Sequence, residues 1–227
     1  MHATFLEKPT PQTLRGQIAE RLRQSILNGT LHEGERLVER KLAEQFGASL
    51  TAVREAVIEM ETDGLIVKRP NSTTAVVKLS PSDTDKIFTV RGILEKHAVE
   101  EAARKISPEE FKTIKAGYYV LIETARQGKA QEFVEKDFAW HASIWKIVGN
   151  EYLSGALRRC VVPIFALSAV HVGSREPAEL VRDAESHRPL LEALRANDPR
   201  AAKRALAEAL KDWKANTHNY IFGRERK

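Results

Sequence analysis

The chain has a single cysteine, Cys160, among its 227 residues. A lone thiol excludes an internal disulfide and suits a reducing compartment. Long apolar runs are also missing. The longest, Val161–Val170, is about half of what a bilayer crossing needs, and Pro163 interrupts it. The first residues form no basic-then-apolar leader, so a cytoplasmic protein with no membrane partner is expected. No internal repeat or low-complexity tract is present. Nor is there a block of one charge. The net charge is +5 and the pI about 9.3, yet residues 1–80 carry 11 Lys/Arg against 10 Asp/Glu and the remainder 25 against 21. Any nucleic-acid contact must then come from a few placed residues. The sequence has no H-E-x-x-H and no phosphate-cradling glycine loop, which argues against two common enzyme classes. Its length suits two domains, each able to bury a core.

What is there is organised around Leu42–Gly64. Leu42, Ala43 and Phe46 make the apolar face of one short helix, which Gly47 ends. Ser49 is a good N-cap for a second helix, closed by Gly64. Val53, Ala56, Val57 and Met60 recur at helical spacing and mark its core side. Thr51 and Arg54 point the other way near its start, where a helix-turn-helix meets base edges. An ordinary helical hairpin with a solvated polar face would read alike. Upstream, Leu14, Ile18, Leu22 and Ile26 predict an amphipathic helix stopping at Asn28-Gly29, and Thr30–Arg36 reads as a turn. Downstream, LIVKR, PNSTT and AVVKL read as a β-hairpin. This is the order of a winged helix.

These pieces resemble the N-terminal domain of the GntR family of bacterial transcription regulators. The resemblance covers residues 13–79 through ILNGTLHEGERL, LAEQFGAS and TAVREAVIEMETDGLI. It implies a homodimer on a short palindrome of double-stranded operator DNA, with Arg40, Ser49, Thr51 and Arg54 at contact positions. Two departures stand out: Leu50 replaces a frequent arginine, and Ser72-Thr73 replaces a glycine at the wing tip. For Arg54 the alternative is a surface salt bridge to Glu55 or Glu59.

After a boundary at Leu79-Ser80-Pro81-Ser82 only helices are expected. Ile87, Val90, Leu94, Ala98 and Ala102 mark one apolar face. Ser107-Pro108-Glu109-Glu110 is a capping box opening a helix toward Arg126. Further helices are read at Phe133–Val148, Tyr152–Leu167 with a bend at Pro163, His187–Arg195 and from Asp198-Pro199 toward Tyr220. The fold expected is mainly α: an N-terminal winged helix-turn-helix (three helices plus a β-hairpin) and a C-terminal all-α bundle. The divisions are 1–12 a flexible arm, 13–79 the reader, 80–86 a linker, and 87–222 an effector-binding and dimerisation domain.

In Phe133–Val148 the core-facing series is Phe133, Asp137, His141, Ile144 and Val148. Asp137 and His141, four apart, share the apolar face. A carboxylate there needs a cation, since an unpaired buried charge costs several kcal/mol. The partner is a protonated His141, an arginine from another helix, or a metal. A purely structural Asp–His hydrogen bond is the plainer reading. Phe138, Trp140 and Trp145 read as helix packing.

Residues 87–213 resemble the FCD ligand-binding domain of the FadR-like branch of the same family. Arg91 and Glu95 match through VRGILEKHA, Asp137, His141 and Gly149-Asn150 through the central D-x-x-x-H and Gly-Asn, and His187 through ESHRPLLEAL. The resemblance implies a divalent, zinc-like metal on Asp137, His141 and His187, with a fourth ligand position falling at Ala209, which cannot coordinate. His218 lies too far along to substitute. Three ligands and an open position remain a workable zinc site. The alternative is a metal-free site in which Arg91 anchors Asp137 or an effector directly. Arg91 and Asn150 are the candidate effector contacts, Arg91 through two-pronged carboxylate recognition. A structural ion pair of Arg91 with Asp137 or Glu95, and a turn role for Asn150, are the alternatives. The expected function is a ligand-responsive regulator, a repressor and not an enzyme, bound by a small organic acid. A metal-sensing repressor and a metal-dependent hydrolase fused to a winged helix are the rivals.

Overall fold

The protein is described by a computed structural model over residues 13–68 and 74–223. The expected arm at 1–12 and the wing tip Ser72-Thr73 lie outside the described residues. The chain divides into two compact units between Val77 and Lys78.

The first unit begins with α1 (Leu14–Leu27), capped by Thr13. Ile18, Leu22 and Ile26 are buried as their spacing predicts, whereas Leu14 is exposed. Next come β1 (Arg36–Leu37), α2 (Glu39–Phe46) and α3 (Leu50–Thr62). Gly47 terminates α2 at φ +58, a left-handed conformation that carries little cost without a Cβ. Ser49 Oγ then accepts the Ala52 N–H, starting α3. Val53, Ala56, Val57 and Met60 are all almost fully buried where α3 meets α1 and α2. Arg23 of α1 clamps the far end of α3 through Asp63 at 2.7 Å. β2 (Ile66–Lys68) and β3 (Thr74–Val76) pair antiparallel with Val67 opposite Ala75. β1 joins the other edge of β3, with Leu37 opposite Thr74. The expected hairpin is thus a three-stranded sheet, ordered β1-β3-β2. A two-residue strand has too few side chains to show alternation, which is why it reads as a turn.

The second unit is all helical among the described residues: α4 (Pro81–Lys105), α5 (Pro108–Arg126), α6 (Ala130–Val148), α7 (Glu151–His171), a 3-10 turn at Val172–Ser174, α8 (Pro177–Ser186), α9 (Arg188–Arg195) and α10 (Pro199–Phe222). The stretch 80–86, expected as a linker, is the cap and first turns of α4. Ser80 and Asp83 close a capping box around Pro81, so serine and proline start a helix here instead of spacing two domains. Ser107 and Glu110 do the same for α5. Pro163 lies inside a continuous α7. That helix is long and apolar enough to cross a membrane, but 56% of its most apolar window is buried inside the bundle, as in a core helix.

α4 is the central element, packed along α10 and against α6 and α7. Its buried face differs from the one the hydropathy pattern marks. Ala98 and Ala102 are buried as expected, but in the first half of the helix Val90 is exposed and Ile87 and Leu94 only half-buried, while Phe88, Arg91, Gly92 and Glu95 go inward. The face is rotated because Arg91 and Glu95 go inward together, their charges cancelling, and a pattern scored on hydropathy places both outside.

Candidate functional site

In the first unit the start of α3 and the start of α2 present cations outward. Arg40 retains 88% of its side-chain exposure and lies 3.8 Å from Glu44. Arg54 is 59% exposed. Thr51 is exposed beside it, and Ser49 is exposed while its hydroxyl caps α3. The partner of Arg54 is neither Glu55 nor Glu59. Its Nε donates to Glu39 of α2 at 3.0 Å, and Lys68 of β2 lies 4.0 Å from the other oxygen of the same carboxylate. Glu59 faces Arg15 instead. Glu39, only 18% exposed, therefore joins helix, turn and wing, a role hidden from local spacing because 15 residues separate it from Arg54. With Nε occupied, the two terminal nitrogens of Arg54 keep the fork geometry that guanine or phosphate requires.

In the second unit α4, α6, α7, α8 and α10 line a cavity of about 50 Å³, room for a few water-sized groups. Its walls include Arg91, Asp137, His141, His187 and Trp213. Asp137 and His141 stand one turn apart on α6, as predicted. His187 reaches them from the junction of α8 and α9, where its N–H closes α8 and its carbonyl begins α9. His141 and His187 are each 1% exposed and Asp137 19%.

The ring partners assign the protons. His187 Nδ1 lies 2.9 Å from the Asp183 carbonyl and 3.2 Å from that of Ala184, so Nδ1 carries the hydrogen and Nε2 a lone pair. His141 Nδ1 lies 3.0 Å from Glu95 Oε1, which leaves its Nε2 free in the same way. The two Nε2 atoms face each other at 3.2 Å. Asp137 Oδ1 lies 3.0 Å from His187 Nε2 and 3.7 Å from His141 Nε2, and no donor points at it in hydrogen-bonding geometry. Three lone pairs thus converge on one point. A tetrahedral ion with bonds of about 2.0–2.1 Å spans ligand-to-ligand edges of about 3.3 Å. The three observed edges bracket that value, so Asp137, His141 and His187 fit one face of such an ion. Backbone and carboxylate acceptors on both Nδ1 atoms are the outer support metal-binding histidines require.

Charge balance says the same. Burial favours the neutral form of His187, but Asp137 outweighs it and raises the imidazole above its ordinary pKa. Burial opposes the ionised form of Asp137 too, yet His187, His141 and Arg91 hold its carboxyl below the usual range. Burial lowers His141 despite the pull of Glu95. The site holds anionic and neutral donors and attracts a cation, either a proton on His187 or a metal.

Glu95 is the residue that spacing alone did not single out. Fully buried, it accepts from Arg91 Nε at 2.7 Å and from Trp145 Nε1 at 3.2 Å while holding His141. Burial alone would raise its pKa, but Arg91 and His141 bring it down to about 2. Arg91, 3% exposed, sits against the rings of Phe88, Phe165 and Trp213 at 5.3–5.6 Å. Its Nη2 is buried with no hydrogen-bond partner, an orphan donor on the cavity wall that costs energy unless an acceptor arrives.

One expectation is corrected. Asn150 does not line this cavity: its side chain caps α7 by accepting the Leu153 N–H, and it faces a separate groove with Phe138 and Arg158. Ala209 of α10, where a fourth ligand was expected to be missing, carries no side-chain donor. Trp213, one turn further on, stacks on His187 at 4.7 Å and meets His141 edge-on at 5.1 Å. His218, expected to lie too far along to substitute, is 3.2 Å from Asp85, and neither residue lines the cavity.

A winged reader with outward cations, and a helical unit that folds around a polar cavity, together define a bacterial DNA-binding regulator with a separate helical domain. The chain belongs to the GntR family: residues 14–76 match "Bacterial regulatory proteins, gntR family" and residues 86–212 match the FCD domain. It is 28% identical over 197 residues to the "Probable D-xylose utilization operon transcriptional repressor" of Paenarthrobacter nicotinovorans, covering 87% of this chain and 85% of that one. It is 26% identical over 234 residues to the Exu regulon transcriptional regulator of Escherichia coli, covering 94% and 88%. The structure of E. coli McbR/YncC shares the fold at a TM-score of 0.78 and 24% identity, over 91% of this chain and 98% of that one. These families and relatives are transcription regulators, not enzymes, which removes the fused hydrolase.

Proposed function

We propose that this regulator binds a palindromic operator as a homodimer in the cytoplasm and represses until a small carboxylate metabolite enters the helical unit. Arg40 and Arg54 supply the guanine or phosphate contacts, with Ser49 and Thr51 beside them. Asp137, His141 and His187 hold a divalent, zinc-like ion. When bound, that ion supplies a Lewis-acidic anchor for a carboxylate oxygen. Arg91 grips the same acid through the terminal nitrogen that now has no partner. The observation that carries this reading is the meeting of an orphan guanidinium nitrogen and three convergent lone pairs at one small cavity. Repression is supported by the repressor named among the relatives. Dimerisation is supported by Val90 and Ile93, which α4 leaves 45% and 65% exposed.

The size of the cavity, about 50 Å³, favours a second reading in which the ion itself is the signal. Titrating the whole protein onto its own promoter duplex at fixed salt separates them. The first reading predicts sequence-selective, salt-dependent binding in the metal-loaded state that a small acid releases. Release by metal alone supports the second. Equal affinity for promoter and scrambled duplex would sink both.

A further inference from the structure

We propose that Arg175 and Asp183 form an ion-pair gate on the inner cavity, and that Arg175 selects acids for passage by exchanging Asp183 for the incoming carboxylate. The proposal rests on reading the inner cavity as a ligand site and adds the way in. Arg91, His141 and His187 are buried to 1–3% exposure around a cavity of about 50 Å³, so a solute larger than a few waters reaches them only if a wall moves. Beside the inner cavity lies an outer recess of about 440 Å³. The two share Arg175, Asp183, Trp213 and Asn216 as a common partition.

Within that partition Trp213 is fixed. Its Nε1 donates to Ser186 Oγ at 2.8 Å and its ring stacks on His187. The remaining wall is one carboxylate held from two sides. Asp183 Oδ2 lies 2.7 Å from Arg175 Nη1, and Asp183 Oδ1 accepts from Asn216 Nδ2 of α10 at 3.1 Å. Arg175 lies over the Tyr220 ring at 4.9 Å, an aromatic rest along which a planar guanidinium can slide. It also stands between the 3-10 turn and α8, in a short connection that can absorb backbone rotation.

The rim itself does not draw in an acid, because Arg182 there is outnumbered by the two carboxylates Glu179 and Asp212. Selection therefore falls on Arg175. A carboxylate in the recess offers Arg175 the same charged oxygen acceptor that Asp183 Oδ2 does, so exchange opens the wall without leaving the guanidinium unpaired, while Asp183 keeps Asn216. A neutral solute offers no such replacement. The gate is also joined to the cluster, since the Asp183 carbonyl accepts from His187 Nδ1 at 2.9 Å.

The test is the rate at which diethyl pyrocarbonate modifies His141 and His187 in the full-length, chelator-treated protein, read by peptide mass spectrometry. The exposed His32 serves as the internal control. Arg175→Met and Asp183→Asn should each speed modification of both buried rings at least tenfold and leave His32 unchanged. In the unaltered protein, acetate should speed the same two positions relative to chloride at equal ionic strength. Arg175→Met should be insensitive to acetate. Rates within twofold of the parent, or an acetate effect that survives in Arg175→Met, would overturn the gate. The acetate comparison needs no variant to fold. A gate confirmed this way in protein that takes up no added Co²⁺ would leave the gate standing and remove the metal.

Discussion

Replacing Glu95 with glutamine removes one charge from the centre of the helical unit and leaves the rest of its shape in place. Arg91 would then be a buried cation whose Nε faces an amide and whose Nη2 already lacks a partner. Breaking a buried pair by removing one member costs about 3–5 kcal/mol. The acidity of Glu95 gives a consistent figure. Its carboxyl drops from 4.5 to about 2 on folding, and at about 1.4 kcal/mol per unit that is about 3 kcal/mol. Because the folded pKa is the lower one, this stability is fully present above 4.5 and is lost as the pH falls toward 2. The assay is urea denaturation followed by tryptophan fluorescence. All three tryptophans, Trp140, Trp145 and Trp213, lie in the helical unit, so the signal reports that unit alone. The expected loss is about 3 kcal/mol at pH 7, or roughly 10 °C in Tm for a unit of this size. Parent and variant should converge as the pH approaches 2. A loss below about 1 kcal/mol at pH 7 would refute the view that Arg91 depends on Glu95. A double change, Arg91→Met with Glu95→Leu, should recover only part of the loss, since the charge pair is gone but His141 Nδ1 and Trp145 Nε1 are left buried without their acceptor.

Four further substitutions have defined outcomes. Arg54→Ala should weaken promoter binding by about 1–3 kcal/mol and relax selectivity at one operator position, whereas Arg40→Ala, if its contact is to phosphate, should weaken all duplexes alike and flatten the salt dependence, both by fluorescence anisotropy. Glu39→Gln should reduce the ratio of specific to non-specific affinity more than it reduces non-specific affinity, because it releases Arg54 and Lys68 without removing either cation; the same titration on promoter and scrambled duplex checks it. Asp198→Ala should cost the helical unit about 1 kcal/mol in urea, through loss of the cap on the Ala201 N–H.

Much of this was legible because it is local. The turn at Gly47, the Ser49 cap and the Val53–Met60 face all follow from spacing within a dozen residues, and the structure places each as expected. Asp137 and His141 were equally plain, being one helical turn apart. What stayed hidden depends on tertiary partners. The inward face of the first half of α4 differs from the hydropathy pattern because Arg91 and Glu95 neutralise each other across one turn and against His141, a cancellation that side-chain hydropathy does not register. The partner of Arg54 sits in another helix. The stacking of Trp213 on His187 stayed hidden for the same reason, since the two sit in different elements. His187 came from family resemblance, since nothing local ties it to residues on α6.

The most direct measurement is an anomalous-difference map from crystals of the untagged protein grown without chelator, with elemental analysis of the same preparation. The account predicts about one divalent ion per chain, bonded to His141 Nε2, His187 Nε2 and an Asp137 oxygen at about 2.0–2.2 Å, and its loss in His141→Ala. A map with no peak there, from protein in which neither form carries metal, would contradict it.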